Sequence, residues 1–491
     1  MKLRKLFLSF AILLALTGTS FAGGSKEPQT ITIIHTNDVH GRVEVYPYVK
    51  GYADALRKEK KNVVVVSAGD EFDGTPFASL SGGRDIAEVM NLTGYDLFVM
   101  GNHEQFPQMD FQMLATLAKF PILAANIGAN WKTQIPQIKN YTIKKFGATK
   151  IAFIGITTGT SGDESVAVVE KARKDATKEG ANVFIAVTHL GVQDPDLTIR
   201  STYIAEKCPW LTAIIDGHCH TAHSNGLLHN GILIGETGEY GNNIGVVEVT
   251  AKKGEVLGVT ARLIPIAGHQ AESGIIADAA VQTFIDTVNT RNAAYLDEVL
   301  FTLPTTLIGT RDYSRRVESV FGDMLTDAMR LKTGAQIGLL VGTAIRANID
   351  AGEVTRGELK TALYEDLPLC TLYLSGAEIR GEFETALKAY PNENNYFLHV
   401  SGLFVEFDTT LPVGERVTSI KLENGAPLEP DTSYLCVSKS DSLYFVSFYD
   451  ELMRTQDFNI GFGTIAESLA DYITGGAQIP AGVAGRIKPI N

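Results

Sequence analysis

Between residues 30 and 265, short apolar runs alternate with segments whose apolar residues recur every three to four positions. The runs "TITIIHTND", "NVVVVSAGD", "DLFVMGNHE", "KIAFIGITT", "NVFIAVTHLG", "LTAIIDGHCH", "GILIGETGE" and "IGVVEVTA" predict strands buried on both faces. "VKGYADALRKEKK" and "DFQMLATLAKF" have the spacing of amphipathic helices. The alternation predicts an α/β sandwich with its sheets inside. A long helical stretch follows over 272–300, and from about 301 the pattern restarts with its own strands and helices. At 491 residues the chain exceeds one ordinary core, so the pattern divides into a domain over 30–265, a linking helix over 272–300 and a second domain over 301–491.

The first residues follow another rule. "MKLRK" is basic, "LFLSFAILLAL" is apolar but short for a bilayer span, and Ser20 and Ala22 occupy the −3 and −1 places of a small-residue cleavage site. This predicts a signal peptide over 1–22 and an exported protein, periplasmic or secreted, without stable membrane insertion after cleavage. Loss of Lys2, Arg4 and Lys5 lowers the basic count from 43 to 40 against 56 acids, a net charge of −16. Such a balance disfavours a nucleic-acid polymer or an anionic membrane as partner. It leaves room for a small anionic ligand held by local positive charge. Four cysteines, Cys208, Cys219, Cys370 and Cys436, form no CxxC pattern, and their pairing is open.

Five apolar runs end in residues of ligand type: Asp38 and His40, Asp70, Asn102 and His103, His189, and His218 with His220. Eight of the ten histidines precede residue 230, so this chemistry belongs to the first domain. Singly, each has a plain explanation: Asp38 as a turn residue, Asp70 as a strand terminator, His189 as a hydrogen-bonded core histidine, "DGHCH" as a surface loop. Together they stand at strand ends, where open α/β sheets present ligands to a crevice. Carboxylates, imidazoles and a carboxamide without thiolates suit borderline divalent ions, zinc or manganese with iron or cobalt as alternatives. Seven donors exceed one tetrahedral site and fit two ions sharing a bridging carboxylate, a device for phosphate ester hydrolysis.

"TIIHTNDVHGR", "VVSAGDEFDGTP", "GYDLFVMGNHE", "AVTHLG" and "IDGHCHTAH" resemble, in order and spacing, the motifs of the calcineurin-like metallophosphoesterases. Over nearly its whole length the chain is similar to the exported 5′-nucleotidase family, with its UDP-sugar hydrolase and 2′,3′-cyclic phosphodiesterase relatives. The resemblance implies a four-layer α/β/β/α metal domain, a linking helix and an α+β substrate-specificity domain. It implies one ion on Asp38, His40, Asp70 and His220, and a second on Asp70, Asn102, His189 and His218. It makes His103 the catalytic histidine, beside the ligand Asn102, and a small phosphorylated compound, a nucleotide, the substrate.

Departures from the family pattern are local. The usual "GNHEFD" reads "GNHEQF", so the aspartate that orients the catalytic histidine is Phe106 here, with Asp110 and Glu104 as nearby carboxylates open to the role. In the second domain "NGGGIR" reads "VGTAIR", which keeps Arg346 as a candidate for the substrate's anionic end. Phe397 and Tyr444 are candidates for stacking on a base, and Asp450 for the ribose hydroxyls. Three readings follow: a dimetal phosphohydrolase of nucleoside 5′-monophosphates or related nucleotides, the same chemistry on a non-nucleotide phosphoester, and a weakly active ligand-binding homologue.

Overall fold

A computed structural model describes residues 27–105, 110–193, 196–266, 274–363, 368–439 and 458–491. The first domain holds strands β1 (Gln29–Thr36), β2 (Asn62–Ser67), β3 (Leu97–Val99), β4 (Ile122–Leu123), β5 (Ile138–Lys139), β6 (Tyr141–Phe146), β7 (Thr149–Ile156), β8 (Val183–Thr188), β9 (Ala213–Ile215), β10 (Leu227–His229), β11 (Ile232–Gly235), β12 (Asn243–Lys252) and β13 (Glu255–Pro265). They form two sheets, ordered β13-β12-β1-β2-β3-β4-β5 and β10-β11-β9-β8-β7-β6. β1 to β5 run parallel, as do β7, β8, β9 and β11.

The sheets pack face to face. Ile31, Ile33, Val64, Val66 and Val99 of one meet Ile151, Phe153, Ile185, Val187 and Ile215 of the other in a core that excludes water. On the outer face of the first sheet lie helices Tyr46–Lys58 and Arg84–Thr93. On the outer face of the second lie Gly162–Lys178 and Ser201–Lys207. The order is α/β/β/α. The continuous apolar runs follow from strands buried on both faces. β6 and β13 are half exposed and lack such a run.

The linking helix spans Ala279–Leu296, shorter than the 272–300 expected from the pattern, with Asp278 accepting from Ala280 N–H and Val281 N–H at its start. Its Val281, Ile285 and Val288 join the core of the first domain, and Arg291 pairs with Asp85. The helix is thus docked on the metal domain's flank. Its exposed side is polar, which is why the sequence reads as one long amphipathic stretch.

The second domain is α+β. Its main sheet runs Leu398–Ser401, Ile337–Val341, Ser433–Lys439, Pro368–Ser375, Phe458–Thr464, and a three-stranded sheet lies beside it. Helices Val320–Thr333 and Ile465–Thr474 cover one face and Gly376–Leu387 the other. No disulfide joins the four cysteines. Among the described residues no helix is long and apolar enough to cross a membrane.

One buried group ties this domain's stability to pH. His399 is fully enclosed, its Nε2–H donating to the Ser314 carbonyl at 2.9 Å and its ring 5.4 Å from that of Phe397. Burial pushes its pKa down to about 4. The unfolded chain therefore binds a proton below about pH 6.5 that the folded chain refuses until near pH 4. This contribution is fully present above the unfolded pKa and fades as pH falls through that window, by about 1.4 kcal/mol per pH unit. His399→Gln is expected to flatten the loss of urea stability between pH 6.5 and 4.5, followed by circular dichroism. An unchanged slope would show that His399 does not set it.

Candidate metal centre

The residues singled out at strand ends converge. β1, β2 and β3 of one sheet and β8 and β9 of the other stop one to three residues before Asp38, Asp70, Asn102, His189 and His218. Their loops then turn inward over the junction of the sheets. Asp38 (φ 51°), His40 (48°), Asp70 (57°), His218 (87°) and His220 (58°) all adopt left-handed backbone. Non-glycine residues rarely do so, and such strain gathers at functional sites. Backbone bonds hold the loops there: Asp38 N–H donates to Gly69 O at 2.9 Å, His40 N–H to Asp70 O at 2.9 Å, and Tyr240 N–H to Asp38 O at 2.7 Å. Gly101 is required by proximity, because a Cβ there would lie 2.0 Å from Asp70 Oδ1.

Two carboxylates occupy the centre. Asp70 Oδ2 lies 3.0 Å from His189 Nε2, 3.7 Å from His103 Nε2 and 3.8 Å from His40 Nε2. Asp38 Oδ1 lies 3.3 Å from His220 Nε2, 3.8 Å from His189 Nε2 and 4.0 Å from His40 Nε2. His218 Nδ1 and Asn102 Oδ1 face each other at 2.8 Å. Ligating atoms of Asp38, His40 and His220, and of Asp38, Asp70 and His189, gather closely enough to hold an ion.

The inward aim of each imidazole comes from its other nitrogen. His189 Nδ1 is anchored on the Ala68 carbonyl at 2.6 Å, His40 Nδ1 on Asp73 Oδ1 at 3.0 Å, and His220 Nδ1 on Glu239. This is the outer arrangement that fixes metal-ligating histidines. Asn37 holds the second oxygen of Asp38 with its amide at 2.7 Å and accepts from Thr237 with its own carbonyl. Glu104 accepts backbone N–H groups from Gly101, Asp70 and Glu71, tying the β2 and β3 loops together.

The electrostatics call for a cation. Burial pushes the Asp38 and Asp70 carboxyls up, but the surrounding imidazoles outweigh it and hold both below the usual range. Burial presses His189 down, yet the Asp70 and Asp38 charges raise it well above an ordinary histidine. His218 is lowered to about 4, by burial first and then by His189, which keeps it neutral, the state a metal ligand requires. Asp38 Oδ1 is fully buried and forms no hydrogen bond of ordinary geometry among the described residues. A buried anionic oxygen in that state fits a coordinated cation, and the oxygen and nitrogen donors fit divalent ions.

The centre opens into a cleft of about 610 Å³ shared by both domains. Asp70, Asn102, His103, His218 and His220 line one wall, and Arg311, Arg315, Arg346, Lys388 and Tyr396 the other. Arg315 Nη1–H donates to Asn395 Oδ1 at 2.8 Å. Burial and then the guanidiniums of Arg346 and Arg311 press its pKa well down, a repulsion that an anion in the cleft would relieve.

The stacking expectation needs correction. Phe397 is 2% exposed and belongs to the second domain's core, its backbone held by Phe397 N–H on Asn394 O at 2.9 Å and Gly342 N–H on Phe397 O at 2.7 Å with the ring turned inward. A base needs an open ring face, and the neighbouring Tyr396 is the residue that lines the cleft. Tyr444, Asp450 and Phe106 lie outside the described residues. Of the carboxylates near His103, Asp110 caps the helix Phe111–Leu117 through Met113 N–H, and Glu104 is engaged by backbone amides. The carboxylate on His103 is Asp73, 2.6 Å from Nδ1. Sequence reasoning passes over Asp73, Glu239, Arg311 and Arg315. For Asp73 a signal exists, a second acid three residues beyond Asp70 in one turn.

Comparison with known proteins bears on the family and the fold. Residues 31–222 match the calcineurin-like phosphoesterase family model, and 299–442 match that of the 5′-nucleotidase C-terminal domain. The chain is 26% identical to the trifunctional nucleotide phosphoesterase protein YfkN of Bacillus subtilis (strain 168) over 94% of its own length, but spans only 35% of that protein. It is 26% identical to the 5′-nucleotidase of Rattus norvegicus, covering 97% of this chain and 93% of the relative. The crystal structure of a 5′-nucleotidase precursor from Thermus thermophilus superposes with a TM-score of 0.79 at 25% identity, covering 94% of this chain and 99% of that one. The chain belongs to the metal-dependent phosphoesterase family in which a calcineurin-like domain is followed by a 5′-nucleotidase C-terminal domain.

Proposed function

We propose that the chain is an exported hydrolase that releases phosphate from nucleoside 5′-monophosphates or related nucleotides. The observation that carries this reading is the shared cleft, with a carboxylate and imidazole centre on one wall and Arg311, Arg315 and Arg346 on the other. Asp38, His40, Asp70 and His220 would hold one divalent ion, and Asp70, Asn102, His189 and His218 the other, with zinc or manganese best suited to the donors. Bound there, such ions supply a water of lowered pKa and neutralise phosphoryl oxygens.

The chain's own residues do the rest. His103 presents Nε2 toward the cleft, where it donates to a phosphoryl oxygen or to the departing alkoxide. Its Nε2 lies 3.7 Å from Asp70 Oδ2, which places it beside the centre. Arg315 and Arg346 receive the anionic end of the substrate, and burial of Arg315 makes that contact worth more than a surface pair. Tyr396 offers the aromatic surface for a base. Relatives whose names place them among the 5′-nucleotidases support the nucleotide assignment.

A second reading keeps the chemistry and changes the substrate to a non-nucleotide phosphoester. Burial of Phe397 favours it, since one expected platform for a base is absent from the cleft.

Three outcomes are expected. Chelation should abolish phosphate release from AMP by the mature protein, and zinc or manganese should restore it. Asp70→Ala and His218→Ala should each lower kcat by about two to three orders of magnitude. A protein that binds no metal after incubation with either ion would refute the assignment. Arg315→Met or Arg346→Met should raise KM for AMP about tenfold or more at unchanged metal content. In a substrate panel, turnover of aryl or sugar phosphates without response to any nucleotide would select the second reading.

A further inference from the structure

Asp73 belongs neither to the seven proposed ligands nor to the cleft wall, yet it touches two residues that do. It follows Asp70 by three residues in the loop after β2 and is 4% exposed. One oxygen, Oδ1, lies 3.0 Å from His40 Nδ1, and the other, Oδ2, lies 2.6 Å from His103 Nδ1. The two rings meet edge to face, 4.7 Å between centroids at 83°. The loop reaches this position because Gly74 has φ +102° and no side chain, where a Cβ would stand 2.6 Å from His40 O.

A carboxylate on Nδ1 fixes an imidazole's tautomer and its plane, leaving Nε2 to act. For His40 that leaves Nε2 to face Asp38 and Asp70, at 4.0 and 3.8 Å. For His103 it leaves Nε2 on the cleft side, beside the same Asp70. One short side chain thus sets both imidazoles in a common frame.

We propose that Asp73 is the positioning residue for His103, acting from the β2 loop and registering that imidazole to the metal centre through a carboxylate shared with His40. This rests on the role of His103 argued above. Asp73 touches no reacting atom. It holds the His103 ring where the phosphoryl group and leaving oxygen meet Nε2.

The test uses the zinc-loaded mature protein and the variants Asp73→Asn, His103→Ala and the double variant. Asparagine keeps the size but offers one acceptor oxygen, so it cannot receive both Nδ1–H groups. Asp73→Asn is expected to lower kcat for AMP about 10- to 100-fold with KM changed less than about threefold. Elemental analysis should still find two zinc ions per chain. Added to His103→Ala, the substitution should cost less than about twofold more, because the group it positions is already gone. A strongly downfield ring N–H proton resonance in the wild-type protein should vanish in His103→Ala and in Asp73→Asn. The proposal is overturned if Asp73→Asn costs its full factor in the His103→Ala background, or if it loses zinc in proportion to activity. It is also overturned if the wild-type protein has no downfield resonance that His103→Ala removes, a readout that needs no folded Asp73 variant. His103→Ala with wild-type kcat, while that resonance is present in the wild type, would instead overturn the catalytic role of His103.

Discussion

Everything in the first domain answers to the burial of two carboxylates, Asp38 and Asp70, at the seam between two sheets. Isolated anions in such a place would be neutralised or expelled. Here four flanking imidazoles, His40, His103, His189 and His220, aim Nε2 at them, and each is braced behind by a carbonyl or a carboxylate. Reaching that geometry forces five side chains into left-handed backbone, at roughly 1–2 kcal/mol each. The cross-loop bonds from Asp38, His40 and Tyr240 offset part of that cost. The parallel strands supply a rigid base for these loops, and the apolar core between the sheets holds the two sets of strand ends in register. A strand that slipped by one residue would turn its buried apolar set to the opposite face and displace the loop it feeds.

How much of this can be read from the sequence depends on what each residue must satisfy alone. Buried strands advertise themselves as unbroken apolar runs, so β1, β2, β3, β8 and β9 stand out and their termini locate the candidate ligands. β6 and β13 do not, because a half-exposed strand mixes apolar and polar residues as its two faces demand. The proposed ligand set is legible because Asp, Asn and His at successive strand ends are improbable in any other role. The supporting shell is not. Glu239 lies nineteen residues from His220, and Asp73 thirty from His103, so only the fold reveals these pairs. Motif reading seeks the carboxylate partner of His103 in the following few residues, where Asp110 and Glu104 have other duties. The chain places it on the neighbouring loop.

The second domain is harder to read for a related reason. Its contribution to the cleft is a set of cations at 311, 315, 346 and 388, unremarkable singly among 43 basic residues. What distinguishes Arg315 is burial beside two like charges, a property of three-dimensional placement. Phe397 misses the cleft by one position. The chain turns over Asn394–Phe397, where Phe397 N–H donates to Asn394 O at 2.9 Å before the strand Leu398–Ser401, and in that turn the core takes Phe397 and the cleft takes Tyr396.

A chain with 56 acids against 43 bases is a poor long-range attractor for phosphate, so its affinity must be local. The structure concentrates positive charge where the two domains face each other. It also links the two sides of the cleft. Glu239 braces His220 on the metal side, and Arg311 of the other domain stands 3.9 Å from the same carboxylate while donating to Glu393 at 3.0 Å. Neutralising Glu239 would loosen His220 and leave Arg311 with less opposing charge. The centre that would polarise a phosphoryl group and the cluster that would receive its anionic end are therefore tuned by one shared acid rather than built independently.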